Sequence, residues 1–300
     1  MMNNKTISGH LASLFTIVVW GTTFISTKVL LDDFKPVEIL LLRFLAAYII
    51  LLLFFPKALK VTNRKQELTF AAAGLCGVCL YYLLENIALT YTSASNVGVI
   101  ISVAPFFTAI LNRVCFKEKE KMQMNFFIGF ILAIAGVFLI SFNGTALRLN
   151  PVGDLLALAA AIVWAFYSVL TRKISGFGYN TVLSTRRVFF YGIIFMLPAI
   201  LLFEFSPDLS RLGEPENLLN IIFLSLGASA MCFITWNFAV KVLGAVKTSV
   251  YIYMVPVITV AASAVFLNEK MTVLKAAGIL LTLAGLLLSE SKILRKGAKE

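Results

Sequence analysis

Charged residues are scarce in this sequence. Asp, Glu, Lys and Arg together make up 14% of its 300 residues, whereas hydrophobic residues make up 60%. Soluble domains carry roughly 25% charged and 45–50% apolar residues, and the mean hydropathy of this chain is +0.91. This composition excludes an ordinary soluble domain and indicates a multi-pass protein of the lipid bilayer.

Histidine and cysteine are too few and too scattered for a metal or redox site. The chain has one histidine and four cysteines. Cys76 and Cys79 form a C-x-x-C pair inside an apolar run, without the second pair or the histidines that a zinc site needs. The motifs HExxH and GxSxG are also absent from the sequence. We therefore expect no metal, no cofactor and no enzymatic activity.

The net charge of +11 does not indicate a nucleic-acid partner. Nucleic-acid binding needs basic residues clustered on a soluble face, and here they fall in short loops between apolar runs. Seventeen of them lie on one side of the predicted membrane, and five on the other: Lys35, Arg148, Arg211, Lys270 and Lys275. Because cytoplasmic loops carry the excess of Lys and Arg, we expect both termini in the cytoplasm and the protein in the inner membrane.

Ten apolar runs fill the chain and leave no room for a soluble domain. A membrane-spanning helix needs about 20 mostly apolar residues. The sequence therefore predicts an all-α membrane protein of ten transmembrane helices. The runs cover residues 10–31, 36–56, 68–90, 93–116, 124–142, 152–174, 182–204, 217–240, 245–268 and 273–290.

The two halves of the chain repeat the same residues at constant spacings. The recurring pairs are Trp20 and Arg43 with Trp164 and Arg187, Asn86 and Pro105 with Asn237 and Pro256, and Gly129 and Gly136 with Gly278 and Gly285. Residues 10–143 and 152–290 are thus predicted to be two copies of one five-helix unit. An odd number of helices makes the second copy inverted, which is an architecture of secondary transporters.

Longer related motifs also stand in both halves. WGTTFISTK in the first run has the degenerate copy WAFYSVLTRK in the sixth, and ENIALTYTSASNVGVIISVAPFFTAIL has the copy WNFAVKVLGAVKTSVYIYMVPVITVAASAVFLNEK. In this order the motifs resemble those of the drug/metabolite transporter superfamily, specifically two EamA-type domains in tandem. The resemblance covers nearly the whole chain and says little about the substrate.

The resemblance implies that helices one, three, four, six, eight and nine line a central cavity. Aromatic and hydrogen-bonding residues on these helices are the candidate cavity wall, although each also fits an interface belt or a packing role. An aromatic cage with few fixed charges suits amphipathic or apolar zwitterions. The candidates are Trp20, Thr23, Tyr81, Tyr82, Asn86, Ser102, Trp164, Tyr167, Trp236, Asn237, Tyr251 and Tyr253.

Glu85 interrupts the apolar stretch YYLLENIALTY. An ionised group in hydrocarbon costs at least roughly 2.5 to 3.5 kcal/mol on insertion scales, so Glu85 needs a partner, water or a function. One hypothesis pairs it with Arg43, which lies at a similar predicted depth. The other makes it a proton-coupling or substrate-amine site. The offset of 151 from Asn86 to Asn237 takes Glu85 to Trp236, so the carboxylate has no mirror in the second half.

Pro105 and Pro256 lie inside the fourth and ninth runs. Proline removes a backbone donor and kinks a helix where neighbouring polar groups satisfy the freed carbonyl. Each proline is either a static kink or a hinge, and their duplicated placement favours the hinge.

Together these features predict a secondary transporter that moves a small organic metabolite across the cytoplasmic membrane by alternating access. By resemblance, it exports amino acids or related metabolites or drugs, with protons as the candidate coupling ion, as a monomer or a homodimer. The alternatives are an uptake or exchange carrier for a vitamin, sugar or nucleotide-sugar, and a passive channel or membrane scaffold.

Overall fold

The regular structure of the chain is helical throughout its described residues. The computed structural model describes residues 4–116, 124–141, 150–203, 205–206, 208–268 and 271–297. Residues 142–149, where the two predicted repeats meet, lie outside this set. Within it there are ten long helices, as predicted: α1 (Asn4–Leu30), α2 (Pro36–Phe54), α3 (Arg64–Tyr91), α4 (Ala94–Phe116), α5 (Met124–Ser141), α6 (Pro151–Ser175), α7 (Thr181–Leu202), α8 (Pro215–Leu243), α9 (Ala245–Phe266) and α10 (Val273–Gly297).

Most of these helices are long and apolar enough to cross a bilayer. Within the described residues, eight meet that criterion, while α5 and α10 contain shorter apolar stretches, Phe127–Gly136 and Val273–Gly285. Large apolar side chains also stand on the outside of the bundle, such as Leu201, which is 86% exposed, and Phe54, which is 76% exposed. Lipid is the expected neighbour of such a surface, and the predicted fold class is confirmed.

Polar residues in the short loops start the helices. The Ser93 side chain accepts a hydrogen bond from the backbone N–H of Asn96 at the start of α4. Asn150 does the same at α6 and Asn180 at α7. These caps satisfy backbone donors that have no partner inside the helix, so these polar residues fix where α4, α6 and α7 begin.

Most helices pack against helices of the other half of the chain, and equivalent helices choose equivalent partners. Helix α1 packs against α8 and α9, and its counterpart α6 packs against α3 and α4. Helix α2 packs against α8, and its counterpart α7 packs against α3. Three pairs of counterpart helices also contact each other: α2 with α7, α4 with α9, and α5 with α10. This is the contact pattern of two five-helix units related by a two-fold axis.

Helices α5 and α10 approach each other through glycine. A Cβ atom added to Gly136 would overlap the carbonyl oxygen of Gly278, and one added to Gly285 would overlap that of Gly129. Gly278 and Gly285 are the repeat counterparts of Gly129 and Gly136, so the two overlaps are reciprocal. These glycines therefore allow α5 and α10 to pack closely.

Four of the spanning helices are irregular at matching places. Helices α3 and α8 contain π-helical segments, Leu75–Leu80 and Phe223–Met231. Helix α4 is interrupted at Ser102 and Val103, and α9 contains the 3₁₀ segment Val250–Met254. Pro105 and Pro256 stand in the first turn after these interruptions, where a missing backbone donor is tolerated. Both prolines thus follow real breaks in the helices, and motion at those breaks stays a prediction.

Candidate functional site

An aromatic cluster occupies the centre of the bundle, where α1, α3, α6 and α8 meet. The ring centroids of Trp20 and Trp164 are 5.1 Å apart, those of Trp20 and Trp236 are 5.1 Å apart, and those of Trp164 and Trp236 are 6.0 Å apart. The Tyr81 ring lies 4.8 Å from that of Trp164. Trp20 and Trp164 are repeat counterparts, so the cluster lies where the two halves of the chain meet.

A narrow cavity of about 20 Å³ lies beside this cluster. It has room for about one water molecule. The sequence pointed to the aromatic and polar part of its wall, but apolar lining residues carry no sequence signal that separates them from ordinary core. The lining residues are Trp20, Thr23, Phe24, Tyr81, Tyr82, Glu85, Ile101, Trp164, Ile252 and Val255.

Glu85 brings a carboxylate to the wall of this cavity. Its side chain is 1% exposed, and Tyr81, one turn earlier on α3, lines the same cavity. Its Oε1 atom receives no hydrogen bond from any group in the described part of the chain. The wall of the cavity therefore includes a buried carboxylate with one oxygen that the described residues leave without a hydrogen bond.

Arg43 lies behind the cavity wall rather than against Glu85. It is fully buried, and its Nε donates a 3.0 Å hydrogen bond to Ser229 Oγ on α8. Its guanidinium carbon lies 4.3 Å from the centre of the Tyr82 ring. Among the described residues, Nη1 and Nη2 have no acceptor, and the guanidinium forms no salt bridge with Glu85. The predicted Glu85–Arg43 pair is thus not a direct one, because Arg43 points towards α8 and Tyr82.

The repeated asparagines connect neighbouring helices. Asn86 Nδ2 donates to the carbonyl of Pro36 at 3.1 Å, which ties α3 to α2. Its counterpart Asn237 donates to Thr185 Oγ1 at 2.9 Å, which ties α8 to α7, and accepts from the Tyr167 hydroxyl at 2.9 Å. Asn237 also lines a second small cavity between α6, α7 and α8. Asn86, Asn237 and Tyr167 are therefore placed in helix packing around the central cavity.

Three other predicted residues point away from the central cavity. Ser102 donates to the Val99 carbonyl at the break in α4. The Tyr251 hydroxyl lies 2.7 Å from Nδ1 of His10, and Tyr253 packs with Ala133 of α5. The two tyrosines lie on the 3₁₀ segment of α9, which winds more tightly than an α-helix. The residue between them, Ile252, faces the cavity instead, and the choice of aromatic residues by type alone did not record which side of α9 each one occupies.

Lys28 and Arg172, which are repeat counterparts, make different contacts at opposite ends of the bundle. Lys28 Nζ donates to the carbonyl oxygen of Leu89 at 2.5 Å, at the end of α3. Arg172 Nη1 donates to Asn112 Oδ1 of α4 at 2.6 Å and lies over the ring of Phe116. The sequence analysis did not single out this pair, although both residues stand eight positions after a repeated tryptophan.

Arg187, the counterpart of Arg43, is fully engaged by protein groups. Its Nη2 lies 2.6 Å from Glu67 Oε1, and its Nη1 donates to the carbonyl of Leu59 at 2.9 Å. The Tyr191 hydroxyl donates to the same carboxylate. The two arginines at equivalent positions thus differ in how many of their guanidinium nitrogens donate hydrogen bonds to the described residues.

Ten helices in two halves, packed around a small aromatic-lined cavity with one buried carboxylate, define a multi-pass membrane protein. The chain belongs to the EamA-like transporter family, whose model matches it twice, over residues 7–142 and 151–290. It is a membrane transporter of a small-molecule substrate, not an enzyme.

Related proteins align with almost the whole length of this chain. A protein of Archaeoglobus fulgidus, described as an uncharacterized transporter, is 30% identical over 97% of this chain and 99% of its own length. A Salmonella typhimurium protein named "Probable amino-acid metabolite efflux pump" is 28% identical over 93% of each chain. A Streptantibioticus cattleyicolor protein named "Probable terminal-alkyne amino-acid exporter" is 24% identical over 94% of this chain and 93% of its own.

A solved structure also resembles this chain. It superimposes with a TM-score of 0.69 over 95% of this chain and 98% of its own, at 18% sequence identity. At that identity the likeness concerns the fold alone.

Proposed function

We propose that this transporter exports an amino acid or a related amphipathic zwitterion from the cytoplasm by alternating access, in exchange for a proton carried on Glu85. The observation that carries the proposal is the buried Glu85 carboxylate, which faces an aromatic-lined cavity with one oxygen unsatisfied by the described residues. A substrate ammonium group fits both the carboxylate and the faces of the surrounding aromatic rings.

The exchange follows from how a buried carboxylate is tolerated. An ionised carboxylate away from water needs a compensating partner, and either a bound proton or a substrate ammonium meets that need. When the ammonium arrives, the proton leaves Glu85 for water; when the substrate leaves, a proton returns. The titratable and charged groups around Glu85 are Tyr81 and Tyr82 on its own helix and Arg43 on α2.

The direction and the substrate class are supported by two of the relatives, which carry the names of an amino-acid metabolite efflux pump and an amino-acid exporter. The predicted cytoplasmic position of both termini follows the Lys and Arg asymmetry of the loops. With that orientation, Lys28 holds the outer ends of α1 and α3 together. Alternating access is supported by the exchanged packing of the two halves around the cavity.

Reconstitution in liposomes tests the proposal. We would follow the exchange and accumulation of a panel of labelled amino acids, with and without an imposed pH gradient. The proteins compared are the wild type, Glu85→Gln and the matched control Glu214→Gln, which makes the same change at an exposed loop residue. The wild type and the control are expected to accumulate substrate when the gradient is applied. Glu85→Gln is expected to exchange substrate without responding to the gradient.

Three results would contradict this account in different ways. If no labelled amino acid moves through the wild type, the substrate class is wrong. If Glu85→Gln accumulates substrate as the wild type does, Glu85 is a structural residue. A flux that does not saturate with substrate concentration would indicate a passive channel.

A further inference from the structure

Arg43 is a fully buried cation, and the described residues accept a hydrogen bond from only one of its three nitrogens. Nε donates to Ser229 Oγ at 3.0 Å, while Nη1 and Nη2 find no acceptor within the described residues. A buried charge is tolerated when it is paired and hydrogen-bonded. The two amino groups of a guanidinium form a planar fork that matches a carboxylate. The missing partner of Arg43 is thus chemically defined.

We infer that Arg43 binds the carboxylate of the substrate, which it reaches when the Tyr82 side chain turns aside. This inference rests on the proposed function and deepens it, because it makes the site bind both ends of a zwitterion. Glu85 takes the ammonium group and Arg43 takes the carboxylate.

Comparison of the two halves indicates that the fold does not require an arginine without acceptors at this position. Arg187 stands at the equivalent position in the second half, and its guanidinium is occupied by Glu67 and by the carbonyl of Leu59. The two halves thus keep an arginine at equivalent positions, and among the described residues the guanidinium of Arg187 is paired while Nη1 and Nη2 of Arg43 have no acceptor. Arg43, the arginine without an acceptor at Nη1 and Nη2, packs on Tyr82 in the wall of the Glu85 cavity. Glu85 is without a counterpart in the second half.

Tyr82 connects Arg43 to the cavity. Its side chain lines the cavity, and the Arg43 guanidinium carbon lies 4.3 Å from the centre of its ring. The guanidinium is therefore one side chain away from the space beside Glu85. Tyr82 follows directly after Tyr81 and the π-helical segment Leu75–Leu80, and such segments are frequent at functional sites. A rotation of Tyr82 exchanges its cation–π contact with Arg43 for a carboxylate–guanidinium pair.

Competition between L-leucine and L-leucinamide tests the role of Arg43. The amide keeps the ammonium group and the side chain but lacks the carboxylate. We would measure how each competes with labelled L-leucine in exchange by reconstituted wild type, Arg43→Gln and Arg187→Gln. The ratio of the two inhibition constants is independent of how much protein is folded, so reduced stability of a variant does not change it.

The wild type is expected to prefer leucine by at least about tenfold, as charge-assisted hydrogen bonds to a fork give. Arg43→Gln is expected to bring the two ligands to nearly equal affinity, whereas Arg187→Gln keeps the wild-type ratio. Arg43→Lys, which keeps the charge and loses the fork, is expected to fall between them. If Arg43→Gln does not fold, Ser229→Ala serves instead, because loss of the Nε acceptor is expected to reduce the preference for leucine.

The outcomes separate this inference from the proposed function. If leucine and leucinamide compete equally in the wild type, or if Arg43→Gln keeps the preference, Arg43 is a packing residue and amino-acid transport stands without it. If the wild type does not exchange leucine or any other amino acid, both the proposed function and this inference fail.

Discussion

Two buried charged residues, Glu85 and Arg43, lie at the centre of this transporter. Glu85 and Arg43 are both buried, and each keeps polar atoms that no group in the described chain satisfies. The sequence was enough to single out both residues, because charges inside apolar runs are rare and Glu85 has no counterpart in the repeat. It was not enough to assign their contacts. Whether Arg43 meets Glu85 or Ser229 depends on side-chain direction and on how the helices cross, which residue spacing does not record.

The two counterpart tryptophans offer a test at the level of single residues. Trp20 Nε1 donates to the carbonyl of Ala228 at 2.9 Å, whereas Trp164 Nε1 has no acceptor among the residues described. Trp20→Phe leaves the Ala228 carbonyl without that donor, which costs about 1 to 3 kcal/mol. We therefore expect Trp20→Phe to lower the thermal unfolding temperature in detergent clearly more than Trp164→Phe does.

The matched pair carries its own control, since both substitutions remove the same atoms from one aromatic cluster. Equal losses of stability in the two variants would mean that the hydrogen bond to Ala228 contributes little.

Whole helices were predicted better than their irregularities. The ten apolar runs match the ten helices because length and hydropathy are properties of a segment. The π-helical and 3₁₀ segments depend on how neighbouring helices press together, which a single sequence does not state. Tyr251 and Tyr253, predicted as cavity residues from their type, lie elsewhere, and Ile252 was missed because an apolar lining residue looks like ordinary core in a sequence. The breaks before Pro105 and Pro256 are present, while their use as hinges stays a prediction.

The α5–α10 pair tests how tightly two helices are held. A Cβ atom at Gly136 would overlap backbone atoms of α10, whereas one at Gly227 in α8 meets nothing closer than 3.5 Å. Overpacking of this kind costs about 1 to 3 kcal/mol. Gly136→Ala is thus expected to lower the thermal unfolding temperature, and Gly227→Ala to leave it near that of the wild type. Tolerance of alanine at both sites would show that α5 and α10 are less closely packed than described.

The whole molecule is two similar halves whose equivalent residues make different contacts. Lys28 of α1 holds the carbonyl of Leu89 at the end of α3, whereas its counterpart Arg172 of α6 contacts Asn112 of α4. The counterpart of Leu89 is Val240, at the end of α8. If the halves exchange their conformations, as alternating access proposes, we expect a second state in which Arg172 approaches the end of α8 and Lys28 leaves α3.

Two distances follow this exchange between states. Leu31 and Thr90 mark neighbouring ends of α1 and α3, and their repeat counterparts Ser175 and Lys241 mark the corresponding ends of α6 and α8. Spin labels at each pair, in a background without the four native cysteines, are expected to report changes of opposite sign when substrate or pH shifts the population. Changes of the same sign, or a change in one pair alone, would contradict alternating access by exchange of the repeats.

Proton release on substrate binding tests the central claim most directly. L-leucine would be added to weakly buffered, detergent-solubilised protein at several pH values, and the released protons would be counted with a pH indicator. Because substrate and proton are proposed to compete for one carboxylate, we expect up to about one proton per bound leucine from the wild type and from Glu214→Gln. Glu85→Gln is expected to release none. Leucine binding without proton release by the wild type, or equal release by Glu85→Gln, would contradict the account.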